Sequence, residues 1–328
     1  MNELYPLKFK PIHKYKIWGG QKIKNILNQD TKDITSCGES WVLSGVENNN
    51  SVVSNGFLEG NSLNELVAIY MGDLVGEKVF DKFGSEFPIL VKFLDAKDWL
   101  SIQVHPDDDL AQKRGLEMGK TEMWYVVEAD ENAQLISGFK KNCDQETYLH
   151  YLNNGKIKEL LNVETVKAGE VFYIPAGRVH ALGPGSFVAE IQQTSDTTYR
   201  IYDWDRIGVD GLKRELHTEQ ALAAINYKAE KEYKTEYTPT ENKTVDLVES
   251  PYFTTNKLDL SGKIEKDFSE IDSFIIYVCT KGNAIFEFEG GKEQLSIGET
   301  LLIPNQLEGV TIESNKGAEL LEVYILNK

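Results

Sequence analysis

The stretches VKAGEVFYIPAGRVHAL (166–182) and LSIGETLLIPNQLEGVTI (295–312) decide the fold, because Gly-Glu-x-x-x-Ile-Pro occurs in both, at 169–175 and at 298–304. Each is preceded by a Tyr-Val segment, MWYVVE (123–128) in the first case and IIYVCTKG (275–282) in the second. Short runs of β-branched and aromatic residues closed by Gly or Pro read as strands. Their recurrence means that one architectural unit is used twice, and 328 residues suffice for two compact cores.

The turn–strand–Pro pattern resembles the signature of a cupin, a small antiparallel β-barrel of jelly-roll type. The expected fold is therefore mainly β: two cupin units with additional α-helices. SLNELVAIYMGDLVG (62–76) predicts an amphipathic helix capped by Ser62. Further helices are expected near 107–115, 145–162 and 211–226. The polar run after Asn226 reads as a connector. The predicted division is a metal-binding unit at 1–226 with helical insertions, a connector at 227–239 and a second cupin at 240–328. Superposing the repeats on their Tyr-Val and Ile-Pro elements places Glu122 opposite Phe274 and His180 opposite Gly309. A metal-binding unit is thus expected beside one without ligands.

The formal net charge of −17 argues against nucleic acid as a partner, since a field of that sign repels phosphate backbones. A small anionic substrate requires a few Lys or Arg side chains gathered in a cleft. No apolar run approaches a membrane span, and the N-terminal residues lack the apolar core of a signal peptide, so a cytoplasmic protein with no membrane partner is expected. Cys37, Cys143 and Cys279 are far apart and form no metal or disulfide pattern.

In LSIQVHP (100–106), Ser101, Gln103 and His105 are spaced two apart and share one face of an extended strand. Lys120 and Glu122 stand in the same relation, and His180 follows the Pro175-Ala176-Gly177 turn. Two imidazoles, a carboxylate and an amide oxygen can converge from three strands. Nitrogen and oxygen donors without thiolate suit zinc, the first choice, but also iron, manganese or cobalt. Only five histidines occur, and His13, His150 and His217 lie in charged surroundings that leave them out of the set. Asp107, Asp108 and Asp109 precede LAQKR and read as helix caps rather than cation ligands.

Four motifs in order, SIQVHPD (101–107), KTEM (120–123), IPAGRVHA (174–181) and EIQQTSDTTYR (190–200), resemble those of the type I mannose-6-phosphate isomerase family in its short bacterial form. The large helical insertion of longer members is absent, and the continuation is YRIYDWDR (199–206). The resemblance implies an aldose–ketose isomerase acting on a sugar phosphate, with one divalent metal, most simply zinc. It implies Gln103, His105, Glu122 and His180 as metal ligands and Arg200 as the catalytic arginine. Ser101, Lys92 and Lys120 are implied to line the phosphate pocket, with Glu190 on the substrate.

Such an isomerase moves a proton between C1 and C2 through a cis-enediol(ate), which needs stabilised negative oxygen and a base. Glu190, Asp196 and a metal-activated water all qualify as the base. A cupin oxygenase is the rival enzyme class, because two histidines and a carboxylate also describe a non-haem iron site. A sugar-binding cupin without turnover is the non-enzymatic rival.

Overall fold

The computed structural model describes residues 3–208 and 211–326. Ile89–Asp95 and Ser186–Gln193 are buried at every position, which requires cover on both faces of the sheet they share. They are central strands of a seven-stranded antiparallel sheet. Its order is Lys234–Thr235, Val171–Ile174, Glu122–Ala129, Ser186–Gln193, Ile89–Asp95, Cys37–Leu43 and Ile12–Gly20.

A five-stranded sheet, ordered Tyr199–Tyr202, Ile102–Val104, His180–Leu182, Gln134–Phe139 and Leu161–Thr165, faces it. Leu94, Trp124, Val126 and Val188 from the larger sheet meet Leu135 and Leu182 from the smaller to make the core between them. The opposite face of the larger sheet offers Val91, Phe93, Met123 and Tyr125, which join Phe274, Ile276, Val278 and Val323 of the C-terminal half in a second core. Pairing two antiparallel sheets in this way is the layered arrangement expected of a cupin.

The C-terminal strands form another seven-stranded sheet, wrapped around Ile275, Tyr277, Phe286, Leu301, Ile312 and Leu320. Its edge strand is Leu7–Lys8, which pairs with Leu302 and Leu301. Residues 227–239 do not run free in solvent either. Lys234–Thr235 adds to the first large sheet beside Phe172 and Val171, and the Tyr233 hydroxyl bonds both the N–H and the carbonyl of Phe139.

The strand registers correct the repeat superposition by one residue. Glu122 pairs with Ile174 and Trp124 with Phe172, whereas Ile275 pairs with Ile303 and Tyr277 with Leu301. Measured from the Ile before each Pro, Glu122 matches Ile275, not Phe274. Burial agrees, since Ile275 and Tyr277 face the second core's interior while Phe274 faces the shared core. At the other position Val310 and Ile312 face inward, so Gly309 is not the inward-facing residue of its strand. A one-residue slip exchanges the two faces of a strand.

Helix expectations hold at Leu63–Tyr70, Asp108–Lys113, Gln145–Asn153 and Ile157–Leu160. The Glu65 carboxylate accepts from the Ser62 N–H, and Asp107 accepts from the Leu110 N–H. Helix 62–76 is interrupted at Met71, whose φ of 47° cannot continue it. The run 211–226 is helical only at Thr218–Ala224. The His217 N–H donates to the Arg200 carbonyl, and its Nδ1 accepts from the Arg200 N–H. That clasp holds His217 beside the Tyr199–Tyr202 strand and leaves 211–216 as a loop over its end.

Candidate metal centre and substrate cleft

Cross-strand partners on a sheet share a face, and one row across the larger sheet reads Trp41, Lys92, Glu190 and Trp124. The next row inward pairs Gln192 with Glu122. Because Glu122 and Trp124 are two apart, both aim toward the smaller sheet, where His180 pairs with Gln103 and Gln103 with Arg200. The two sheets therefore deliver the sequence-derived residues to one place.

His105, Glu122 and His180 are fully buried and offer ligand atoms within 4.8 Å of one another. His105 Nε2 stands 3.4 Å from Glu122 Oε2, and His180 Nε2 stands 3.2 Å from Oε1. The Nδ1–H of His105 donates to the Thr197 carbonyl and that of His180 to the Arg178 carbonyl, each at 2.9 Å. Since a carbonyl can only accept, both rings present the Nε2 lone pair to the cluster. Among the described residues, Glu122 Oε1 is buried without a hydrogen-bond partner. An orphaned buried carboxylate oxygen is costly, and two oriented imidazoles beside it make a donor set that fits a divalent ion.

Electrostatics favour the ligand-competent forms. Burial and the neighbouring Lys120 ammonium depress His105 to about 3, and burial depresses His180. Burial alone pushes Glu122 upward, but Lys120 and the imidazoles outweigh it and hold the carboxyl well below its ordinary range. A metal-free protein should therefore lose stability as pH falls from about 6.5 toward about 3. In that window the unfolded chain protonates His105 while the native chain does not, so stability rises with pH. Thermal midpoints of chelated protein should show the fall, and it should be shallower in His105→Gln.

Ser101, 4% exposed, donates to Gln103 Oε1 at 3.2 Å, and Gln103 Nε2 lies 3.2 Å from His180 Nε2. Rotating that amide by half a turn would present its oxygen to the same point, and the two orientations differ only in which hydrogen bonds they make. Lys120 bonds the Glu122 carboxylate and lies 3.1 Å from His105 Nε2. Lys92 contacts Glu190 at 3.2 Å and Gln192 at 2.7 Å, over the Trp41 ring. Glu190 also accepts from Trp124 Nε1 at 2.8 Å.

Arg200 donates from Nη1 to the Glu215 carbonyl at 2.7 Å, while its buried Nε has no partner among the described residues. Among the described residues Arg200 makes no ion pair, and the nearby Asp203 is taken by Arg206 and Arg214. Burial, then the nearby Arg214 charge, lowers the Arg200 pKa.

Of these side chains Lys92, Ser101, Gln103, Lys120, Glu190 and Arg200 line a cleft of about 220 Å³. Among the walls that sequence reasoning missed are Lys16, Glu39, Trp41 and Arg214. Glu39 and Trp41 are two apart on Cys37–Leu43, and a lone carboxylate in that buried strand was a usable signal. Lys16 pairs with Glu39 at 3.0 Å, and Trp41 donates to Glu39 at 2.7 Å. Arg214 was hidden by the mistaken helix.

Comparison with known proteins matches residues 7–144 to the catalytic domain of type I phosphomannose isomerase and residues 243–325 to the cupin domain of mannose-6-phosphate isomerase. A mannose-6-phosphate isomerase of Streptococcus mutans is 37% identical, aligned over 90% of this chain and 91% of its own length. One from Bacillus subtilis is 38% identical over 78% of this chain and 80% of its own. The crystal structure of a Bacillus subtilis mannose 6-phosphate isomerase superposes with a TM-score of 0.87 at 33% identity, covering 98% of this chain and 99% of that one. With the same two-cupin fold, and a buried cluster fit for a metal at the foot of its cleft, the chain belongs to the type I mannose-6-phosphate isomerase family.

Proposed function

We propose that the chain interconverts mannose 6-phosphate and fructose 6-phosphate through a cis-enediol(ate), with one divalent ion, zinc, held by His105, Glu122, His180 and the Gln103 amide oxygen. The observation that carries the reading is the buried cluster with its unpartnered Glu122 oxygen beneath a cleft lined by Lys92, Lys120 and Arg200. When bound, the ion supplies Lewis-acid stabilisation of negative charge on the reacting oxygens.

The chain's own groups do the rest. Arg200, with no carboxylate pairing it among the described residues, adds a fixed positive charge where the enediolate oxygen develops. Lys120, held between Glu122 and His105, donates toward the same end. Ser101, Lys92 and Glu190 bind and orient the substrate's oxygens. Both Glu190 oxygens are engaged, one by Lys92 and one by Trp124, which suits a positioning carboxylate better than a proton carrier. Glu39 is likewise engaged, by Lys16 and Trp41, so Asp196, an exposed residue of the cleft wall, is the carboxylate left to accept the proton.

Purified protein should isomerise mannose 6-phosphate equally with and without oxygen, which separates it from an oxygenase. Activity should vanish on chelation and return with zinc, manganese or cobalt. Full turnover by protein verified as metal-free would sink the proposal.

A further inference from the structure

The cleft has a direction. Tyr199 pairs with Val104, Arg200 with Gln103 and Tyr202 with Ile102, so the two strands run away from the His105 cluster together. Ser101 lies four residues from His105, roughly 13 Å along an extended strand. Asp203 continues the partner strand past Tyr202, and its carboxylate receives Nε of Arg214 at 2.7 Å and also Nη2 of Arg214. Arg206 donates to the same carboxylate at 2.5 Å. Arg206 and Arg214 thus share one acid, and Arg214 lines the cleft together with Arg200.

Charge is unevenly spent along this line. At the metal end Lys120 is paired with Glu122 and Lys92 with Glu190, all buried. At the far end Arg206 and Arg214 share the one Asp203 carboxylate, Arg206 also standing 3.6 Å from the exposed Asp98. Arg214 is held side-on by Asp203, its side chain is 30% exposed, and among the described residues its Nη1 donates to nothing. An arginine clamped on one edge with its other edge open is prepared for a second anion.

A hexose 6-phosphate carries its reacting C1–C2 pair and its phosphate at opposite ends. If C1 and C2 lie at the His105 cluster, the phosphate lies toward Ser101 and Arg214. Resting on the proposed reaction, we propose that Arg214, oriented by Asp203, is a phosphate-binding residue of this cleft, acting with the Ser101 hydroxyl. Lys92 and Lys120 then serve the sugar and reacting oxygens rather than the phosphate. The ligand class for this subsite is a phosphomonoester dianion.

The test compares wild type with Arg214→Ala, Arg214→Lys and Asp203→Asn, reading turnover of mannose 6-phosphate and of unphosphorylated mannose, calorimetric binding of inorganic phosphate, and metal content. Arg214→Ala should raise KM for mannose 6-phosphate about 10- to 100-fold. It should weaken phosphate binding by a similar factor, with kcat and metal content nearly kept and mannose turnover little changed. Arg214→Lys should recover part of the loss, since it keeps the charge without the fork. Asp203→Asn should fall between, because Arg214 keeps its charge and loses its orientation. Equal losses on mannose and mannose 6-phosphate would make Arg214 a scaffold residue and overturn the proposal. So would phosphate binding that is unchanged in Arg214→Ala or undetectable in wild type. Wild type that binds phosphate through Arg214 yet isomerises nothing would leave the subsite standing and remove the proposed reaction instead.

Discussion

His105→Ala and His180→Ala should each yield a folded chain that holds no metal and isomerises mannose 6-phosphate at least about 100-fold more slowly. Both imidazoles are neutral, oriented by backbone carbonyls and aimed at Glu122, so each substitution removes one donor. Neither histidine belongs to the apolar core between the sheets, which is built around Trp124, Leu135, Leu182 and Val188. Circular dichroism should therefore stay native-like while the metal-to-protein ratio collapses. Histidine substitutions are also the cleaner choice chemically. Removing Glu122 would strand the Lys120 ammonium in a buried site, a loss on the order of 3–5 kcal/mol that would confuse folding with catalysis. Unchanged metal content in both variants would remove the two histidines as ligands.

Arg200→Ala should lower kcat and kcat/KM together by on the order of 100-fold or more, with KM for mannose 6-phosphate nearly kept. The reason is location. Arg200 pairs across the strands with Gln103, at the reacting end of the cleft, and its buried Nε has no partner to lose. An interaction formed only as charge develops leaves its mark on the chemical step, whereas uniform binding leaves it on KM. Arg200→Lys should recover little, because an ammonium cannot reproduce a planar fork anchored on the Glu215 carbonyl. A rise in KM alone at normal kcat would make Arg200 a phosphate clamp and move the catalytic charge elsewhere.

Much of this was legible in the chain. Period-two spacing placed Gln103 with His105 and Lys120 with Glu122, and both pairs meet at the cluster: Lys120 bonds Glu122, His105 Nε2 stands 3.4 Å from the same carboxylate, and Gln103 Nε2 stands 3.2 Å from His180 Nε2. The repeated Gly-Glu-x-x-x-Ile-Pro marked the strands Val171–Ile174 and Thr300–Ile303. What failed was finer than pattern. The Tyr-Val match put Phe274 opposite Glu122, but hydrogen-bond register decides which face a side chain takes, and it selects Ile275. The run 211–226 has helical composition throughout, yet a two-bond clasp between Arg200 and His217, 17 positions apart, overrides local propensity and frees Arg214 for the cleft. Glu39 and Trp41 could have been found by the spacing rule already applied to Gln103 and His105.

The small strand Leu7–Lys8 bears on how such a chain comes to be folded. Its hydrogen-bonding partners are Leu301 and Leu302, and the Lys8 ammonium reaches Glu299 across 291 positions of sequence. A ribosome delivers that strand long before its partner, so it must wait, unpaired, while the sheets that carry the catalytic cleft are assembled. Closing so long a loop is a slow, late event compared with forming local hairpins. The apolar face that Phe274, Ile276 and Val278 cover is likewise open until then. Nascent chains of this architecture therefore pass through a period in which the cleft can be built while its supporting face is still exposed.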